Sequence, residues 1–153
     1  MAERSLYCTF YIGKQYYGLP VADVQEVLLH QPLTVVPLAP AAVAGLMNLR
    51  GQIVTAVTVR TVLRVSDDAP AEEPMHLVVR HQGSEVSLLV DRIGDVIDVT
   101  DIAMSRPPET LQGRVRDFLL GIFPLQDNLL LALDLRRLLE DEFCVCAMKV
   151  AAH

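Results

Sequence analysis

The stretch GLMNLRGQIVTAVTVRTVL, residues 45–63, carries the first decision about the fold. From Gln52 to Val59 the stretch is strongly β-forming, with β-branched or small residues at every position after Gln52, as a strand with buried faces requires. Asn48, Arg50 and Gly51 punctuate the apolar run just before it, and Thr61–Arg64 suits a short helical stretch after it. Arg50 stands out because a guanidinium stays charged at any working pH, so it must be paired or hydrated.

Upstream, SLYCTFYIG (5–13) alternates Tyr7, Thr9 and Tyr11 with Cys8, Phe10 and Ile12, the pattern of a strand. KQYYGLP adds a turn and a second short strand. Pro20 suits the first position of a helix, and Val21, Val24 and Leu28 fall at helical spacing in PVADVQEVLLH, so a helix is predicted there. On that helix Glu26 points to solvent or to a partner. Pro32, Pro37 and Pro40 make the next stretch extended segments and loop.

Downstream, the acidic SDDAPAEEP (66–74) is the clearest loop and the expected seam between two halves. Residues 75–99 read as strand, turn at Gln82-Gly83-Ser84, strand, turn near Arg92, strand. SRPPETLQGRV is a long loop. A second strand pair turns at Gln126-Asp127-Asn128, and Asp134 can cap a short helix that buries Leu135, Leu138 and Leu139. FCVCAMKV reads as a last strand or equally a helix. About ten short strands with frequent turns indicate small closed barrels rather than an open sheet. The halves are not evident repeats, yet both run strands, loop, strands, short helix.

The 153 residues, 52% hydrophobic and 21% charged, suit one domain or two small fused ones with a packed core. No apolar run is long enough to span a bilayer, and MAERSLYC lacks the basic and apolar regions of a signal peptide, so a cytoplasmic protein is expected. Net charge is −6 but uneven: residues 1–65 carry five basic and three acidic side chains, the remainder eight and sixteen. Such asymmetry can orient a protein partner. Without a basic stripe and without tryptophan, nucleic-acid binding is not expected.

Catalytic grammar is sparse. His30, His76, His81 and His153 form no zinc-protease spacing, and there is no nucleophile elbow, P-loop or dinucleotide fingerprint. Asp91, Asp95, Asp98 and Asp101 alternate with Ile93, Val96, Ile97 and Val99, which fits a solvated strand face better than a calcium loop. Cys8, Cys144 and Cys146 are too few and too unevenly spaced for a disulfide framework or a zinc site, and read as small apolar residues. No cofactor or metal is implied. A small barrel enzyme or ligand-binding protein would need a pocket of converging titratable groups, which no motif requests.

Four segments, YGLPVADVQEVL, GLMNLRGQIV, LLVDRIGDVIDV and GIFPLQDNLLLALDLRRLL, resemble in order and spacing the CheW family of chemotaxis adaptors. The resemblance runs from about Leu6 to Leu139. It implies an all-β fold with short helices: a single CheW-like domain of two five-stranded SH3-like barrels packed together, with terminal segments able to cross between them. It implies no enzymatic activity. It implies a scaffold coupling the helical hairpin tip of a membrane chemoreceptor to the regulatory domain of the histidine kinase CheA. Further copies of the chain are candidate partners, and the membrane is reached only through receptors. The matched positions suggested for an apolar receptor groove, or its support, are Val24, Glu26, Gly45, Asn48, Arg50, Ile93 and Val96. Glu26, in the VQE segment, is the carboxylate expected to pair with Arg50. The family usually writes proline and aspartate where this chain has Thr55 and Thr58, a small residue at Arg92, and often glycine at Ser87. Thr55, Thr58 and Arg92 are therefore candidates for kinase contact or specificity. An alternative is a diverged adaptor that binds receptors and has weakened or lost the kinase contact.

Overall fold

The structure, a computed structural model, describes residues 4–65, 73–111 and 113–140. In chain order the elements are β1 (Leu6–Ile12), β2 (Gln15–Pro20), β3 (Val24–Leu28), β4 (Val43–Leu49), β5 (Gln52–Thr58), α1 (Val59–Leu63), β6 (Met75–His81), β7 (Ser84–Val90), β8 (Arg92–Asp98), β9 (Leu119–Pro124), β10 (Leu129–Leu133) and α2 (Leu135–Glu140). They build two five-stranded mixed sheets, ordered β8-β1-β2-β10-β9 and β3-β6-β7-β5-β4. Cys144 and Cys146, with the FCVCAMKV segment, lie outside the described residues.

The helix expected from Pro20 onward is not there. Pro20 closes β2, a single 3₁₀ turn covers Val21–Asp23, and Val24 begins a strand. Burial along β3 alternates with period two, sheltering Val24, Glu26 and Leu28 and exposing Gln25 and Val27. The open edge of β6 decides the matter: Val24 pairs with Val79, Val27 with Leu77 and Leu28 with His76. A ladder on a partner strand outweighs the helical spacing of three aliphatic residues, because β-branched side chains fit the pleated surface at least as well.

The sheets do not divide at the acidic loop. Residues 66–72 lie outside the described residues, but the elements on either side, α1 and β6, follow and belong to strands of the second sheet. The chain changes sheet at Pro20–Val24 and again between Val90 and Arg92. Each half of the sequence runs as hairpin, three strands and a helix. The hairpin β1–β2 joins β8–β10 in one sheet, and β6–β7 joins β3–β5 in the other. The halves have exchanged hairpins, so the second sheet is the continuous run β3–β7, while the first joins β1–β2 to the distant β8–β10.

Both sheets close in the same way. Thr34, after edge strand β3, exchanges two 2.8 Å backbone hydrogen bonds with Leu46 on the opposite edge strand β4. Ser105, after edge strand β8, does the same with Ile122 on β9, again at 2.8 Å. These bridges turn each sheet into a small barrel. The residue before each receiving position is glycine, Gly45 or Gly121. A Cβ on Gly45 would meet the Thr34 carbonyl oxygen at 2.7 Å, and one on Gly121 the Met104 side chain at 2.4 Å and the Ser105 oxygen at 2.9 Å. With the glycines aligned, Leu49 coincides with Leu125, Ala56 with Ala132, Arg60 with Arg136 and Leu63 with Leu139, without a gap. A weak internal repeat therefore underlies the similar layout of the halves.

One core serves both barrels. A single cluster takes Phe10, Tyr17 and Leu19 from the first sheet, Leu77 and Leu88 from the second, and Leu138 from α2. Phe10 and Tyr17 stack within it at 5.8 Å between ring centroids. A smaller cluster around Tyr7, Phe123 and Leu130 belongs to the first sheet, with Tyr7 and Phe123 edge to face at 5.2 Å.

Candidate interaction site

The β4–β5 turn is built from the backbone outward. Leu49 pairs with Gln52, which leaves Arg50 and Gly51 as a two-residue loop. Both have positive φ, 51° and 81°, as the favoured hairpin turns demand. Asn48 Oδ1 accepts a 2.9 Å hydrogen bond from Gly51 N–H and locks the loop. Arg50 thus sits at the tip of a rigid turn, and its Nη2 donates to Glu26 Oε2 on β3. The expected pair is present. The Glu26 side chain is 23% exposed and that of Arg50 66%. A pair this wet contributes well under about 1 kcal/mol to stability, so its consequence is geometric: it pins the turn to the edge strand.

The other groove candidates fall into separate places. Val24 on β3 and Ile93 on β8 are half-buried and pack against the shared core from edge strands of different sheets. Gly45 is buried at the bridge that closes the second barrel. Val96 is 57% exposed on β8 and presents free apolar surface. The structure joins Glu26, Arg50 and Asn48 in one rim and puts Val24 and Ile93 at the margins of one core.

The three candidates for kinase contact have internal duties. Thr55 is 8% exposed, between Leu46 on β4 and Val86 on β7, so it offers no surface to a partner. Thr58 is the residue before α1, without a side-chain cap hydrogen bond. Its counterpart Asp134 does cap α2, accepting from Arg137 N–H at 3.3 Å. The Thr58 departure therefore weakens a helix cap. Arg92 is exposed, but its guanidinium lies 4.1 Å from the centroid of the Tyr11 ring on the paired strand β1.

The arginine set in apolar surroundings is Arg60, not Arg50. Arg60, on α1, is 8% exposed, and its Nη2 reaches Asp91 Oδ2 at 2.6 Å. The same carboxylate oxygen accepts Gly13 N–H from the β1–β2 turn, also at 2.6 Å, and Asp91 N–H donates to Tyr11 O at 3.0 Å. One carboxylate between β7 and β8 thereby ties the second barrel's helix to the first barrel's turn. Thr58, Arg60 and Asp91 line a cavity of about 280 Å³ beside it. Burial pushes the Tyr17 phenol up to about 12, with the Arg60 charge acting in the opposite direction. The sequence holds a signal for this clamp: a permanently charged residue directly after a buried strand needs a carboxylate.

The sequence matches the model of the CheW-like domain over residues 6–143, a span that includes all four motif segments. The chain belongs to the CheW-like domain family. Relatives include the chemotaxis protein CheW of Treponema pallidum, 27% identical over 140 residues, covering 89% of this chain and 82% of the relative. The Helicobacter pylori CheW is 27% identical over 134 residues, covering 88% and 81%. The Bacillus subtilis CheW is 25% identical over 133 residues, covering 87% and 85%. Among solved structures, the scaffolding protein TtCheW from Thermoanaerobacter tengcongensis superposes with a TM-score of 0.81 at 23% identity, covering 94% of this chain and 92% of the other. The CheW-like architecture is thus shared across nearly the whole length. Members of the CheW family are non-enzymatic chemotaxis scaffolds that couple receptors and CheA, and this chain is one of that class. Among the described residues no helix is long and apolar enough to cross a membrane.

Proposed function

We propose that this CheW-family chain takes the helical hairpin tip of a chemoreceptor along β3 and β8, between the two barrels. The observation that carries this reading is that Val24 and Ile93, from different sheets, border the same core, with Glu26 of the Arg50–Glu26 rim on the strand of Val24 and exposed Val96 on the strand of Ile93. Helix-in-groove recognition needs this combination of apolar anchors and a polar rim. The CheA regulatory domain then engages a separate surface at a barrel end, and further copies of the chain can compete for it. The protein works in the cytoplasm and reaches the membrane only through receptors. A receptor-only adaptor would rest on Thr55, Thr58 and Arg92. Burial of Thr55, the cap position of Thr58 and the Tyr11 stacking of Arg92 account for those residues within the fold and favour retained kinase binding.

The test uses Val96→Glu, a change at an exposed position that leaves the core intact. The variant is expected to lose co-sedimentation with receptor-containing membranes by roughly tenfold or more, the scale of one interface anchor, while still retaining CheA in a pull-down. Undiminished receptor binding would refute the groove; loss of CheA alone would move the receptor site elsewhere.

A further inference from the structure

His76 is fully buried on β6, and both of its ring nitrogens are engaged. Gln31 N–H, on the segment leaving β3, donates to Nε2 at 3.2 Å. A backbone N–H can only donate, so Nε2 carries no proton. The ring hydrogen is therefore on Nδ1, which faces Ser87 Oγ on β7 at 2.7 Å. Ser87 is fully buried, and its hydroxyl completes the ring's partners. Leu28 on β3 and Leu89 on β7 are the strand neighbours of His76. The titratable group facing it is His30, with ring centroids 6.4 Å apart, and His30 Nδ1 is itself 3.3 Å from Pro74 O.

The tether at Gln31 sits close to the closure of the second barrel. Three residues on, Thr34 makes the reciprocal bridge to Leu46 that closes it. Beyond Thr34 the segment presents exposed Val35 and Leu38, and Gly45 lies against Thr34. The anchor at Gln31 and the bridge at Thr34 hold one stretch of chain at two points.

We propose that His76 is an acid-sensitive latch on the second barrel: protonation at Nε2 turns the acceptor for Gln31 N–H into a donor and releases the segment that closes the barrel at Thr34. Two donors then face each other in a buried place, and the tether can only break or move out. Burial and the neighbouring His30 charge both favour the neutral ring, so the latch is shut at neutral pH and opens on the acid side. The device is independent of which partner occupies the groove.

Ring-nitrogen NMR and amide exchange on the full chain test this between pH 7.5 and 5. At neutral pH the His76 ring should show the Nδ1–H tautomer. As the ring protonates, protection at Gln31, Thr34 and Leu46, corrected for intrinsic exchange, should fall by about tenfold per pH unit. Protection at Cys8 and Leu19 in the first barrel should fall by clearly less, following only the change in global stability. His30→Gln, at an exposed position, should move the transition to higher pH by removing a neighbouring positive charge. His76→Gln should abolish the pH dependence. An Nε2–H tautomer, ring titration without loss of protection at Gln31 and Thr34, or a transition that persists in His76→Gln would each overturn the proposal. If His76→Gln does not fold, the wild-type ring titration and His30→Gln still decide it.

Discussion

At the residue scale two arginine–carboxylate pairs share chemistry and differ in consequence. Arg50–Glu26 is wet, so its loss should hardly alter stability; what it can alter is the shape of the rim. Arg50→Glu and Glu26→Arg are each expected to weaken receptor binding, and the double reversal to recover it. Equal failure of single and double variants, all folded by circular dichroism, would show that the pair does not act as a unit. Arg60–Asp91 lies mostly out of water, with 10% and 20% of the two side chains exposed. Asp91→Ala leaves the Arg60 charge without this carboxylate and Gly13 N–H without its acceptor. The expected loss is about 3 kcal/mol, read as a lower urea midpoint. Replacing both members with apolar residues of similar volume should cost clearly less, since the larger penalty lies in stranding one charge. That Arg60 needs a carboxylate is legible in the sequence, but that Asp91 supplies it is not, for a physical reason: Asp91 lies at a distant strand end, and no spacing rule links the two positions.

At the scale of elements, the same closing device occurs in both barrels, and its two glycines are not equally replaceable. At Gly45 the added methyl meets backbone, the Thr34 oxygen at 2.7 Å, which cannot move without breaking the bridge. At Gly121 the shortest clash is with the flexible Met104 side chain, although the Ser105 oxygen also lies within 2.9 Å. Gly45→Ala should therefore destabilise by about 2–3 kcal/mol, and Gly121→Ala by less, in thermal unfolding. An equal or reversed order would contradict the view that Gly45 is there to let two backbones meet. The same geometry gives Gly45 a part in barrel closure. Strand periodicity and turn chemistry made most elements legible: the 6–12 and 52–58 strands, the turn at Gln82-Gly83 and the Asp134-capped helix follow from local composition. The segment after Pro20 was not legible, because helical spacing and a half-buried strand can share the same valines, and only the edge of β6 chooses between them.

For the whole molecule, the shared core and the exchanged hairpins predict that the barrels unfold together rather than one by one. Stability should also depend on pH through His76. Its folded-state pKa is lowered by burial and by His30, so the unfolded chain binds the extra proton first. That contribution is fully present above the unfolded value of about 6.5 and is lost as pH falls from there toward the folded value. The urea midpoint should be flat above pH 7 and fall below pH 6.5, and His76→Gln should flatten the drop. Asp98, whose carboxyl is held below its usual range by hydrogen bonds from Thr100, acts in a lower window, beneath its ordinary 3.8. The amino-acid sequence by itself determined that this is a β-rich adaptor: short alternating strands, turn residues and four motif segments in order suffice, because they record local backbone preference and a matched family pattern. Only the tertiary structure decided which hairpin enters which barrel, where the chain changes sheet, which arginine is buried and what holds Gln31. Those are contacts between positions far apart in the chain, set by shared burial and mutual hydrogen bonding, and no local preference encodes them.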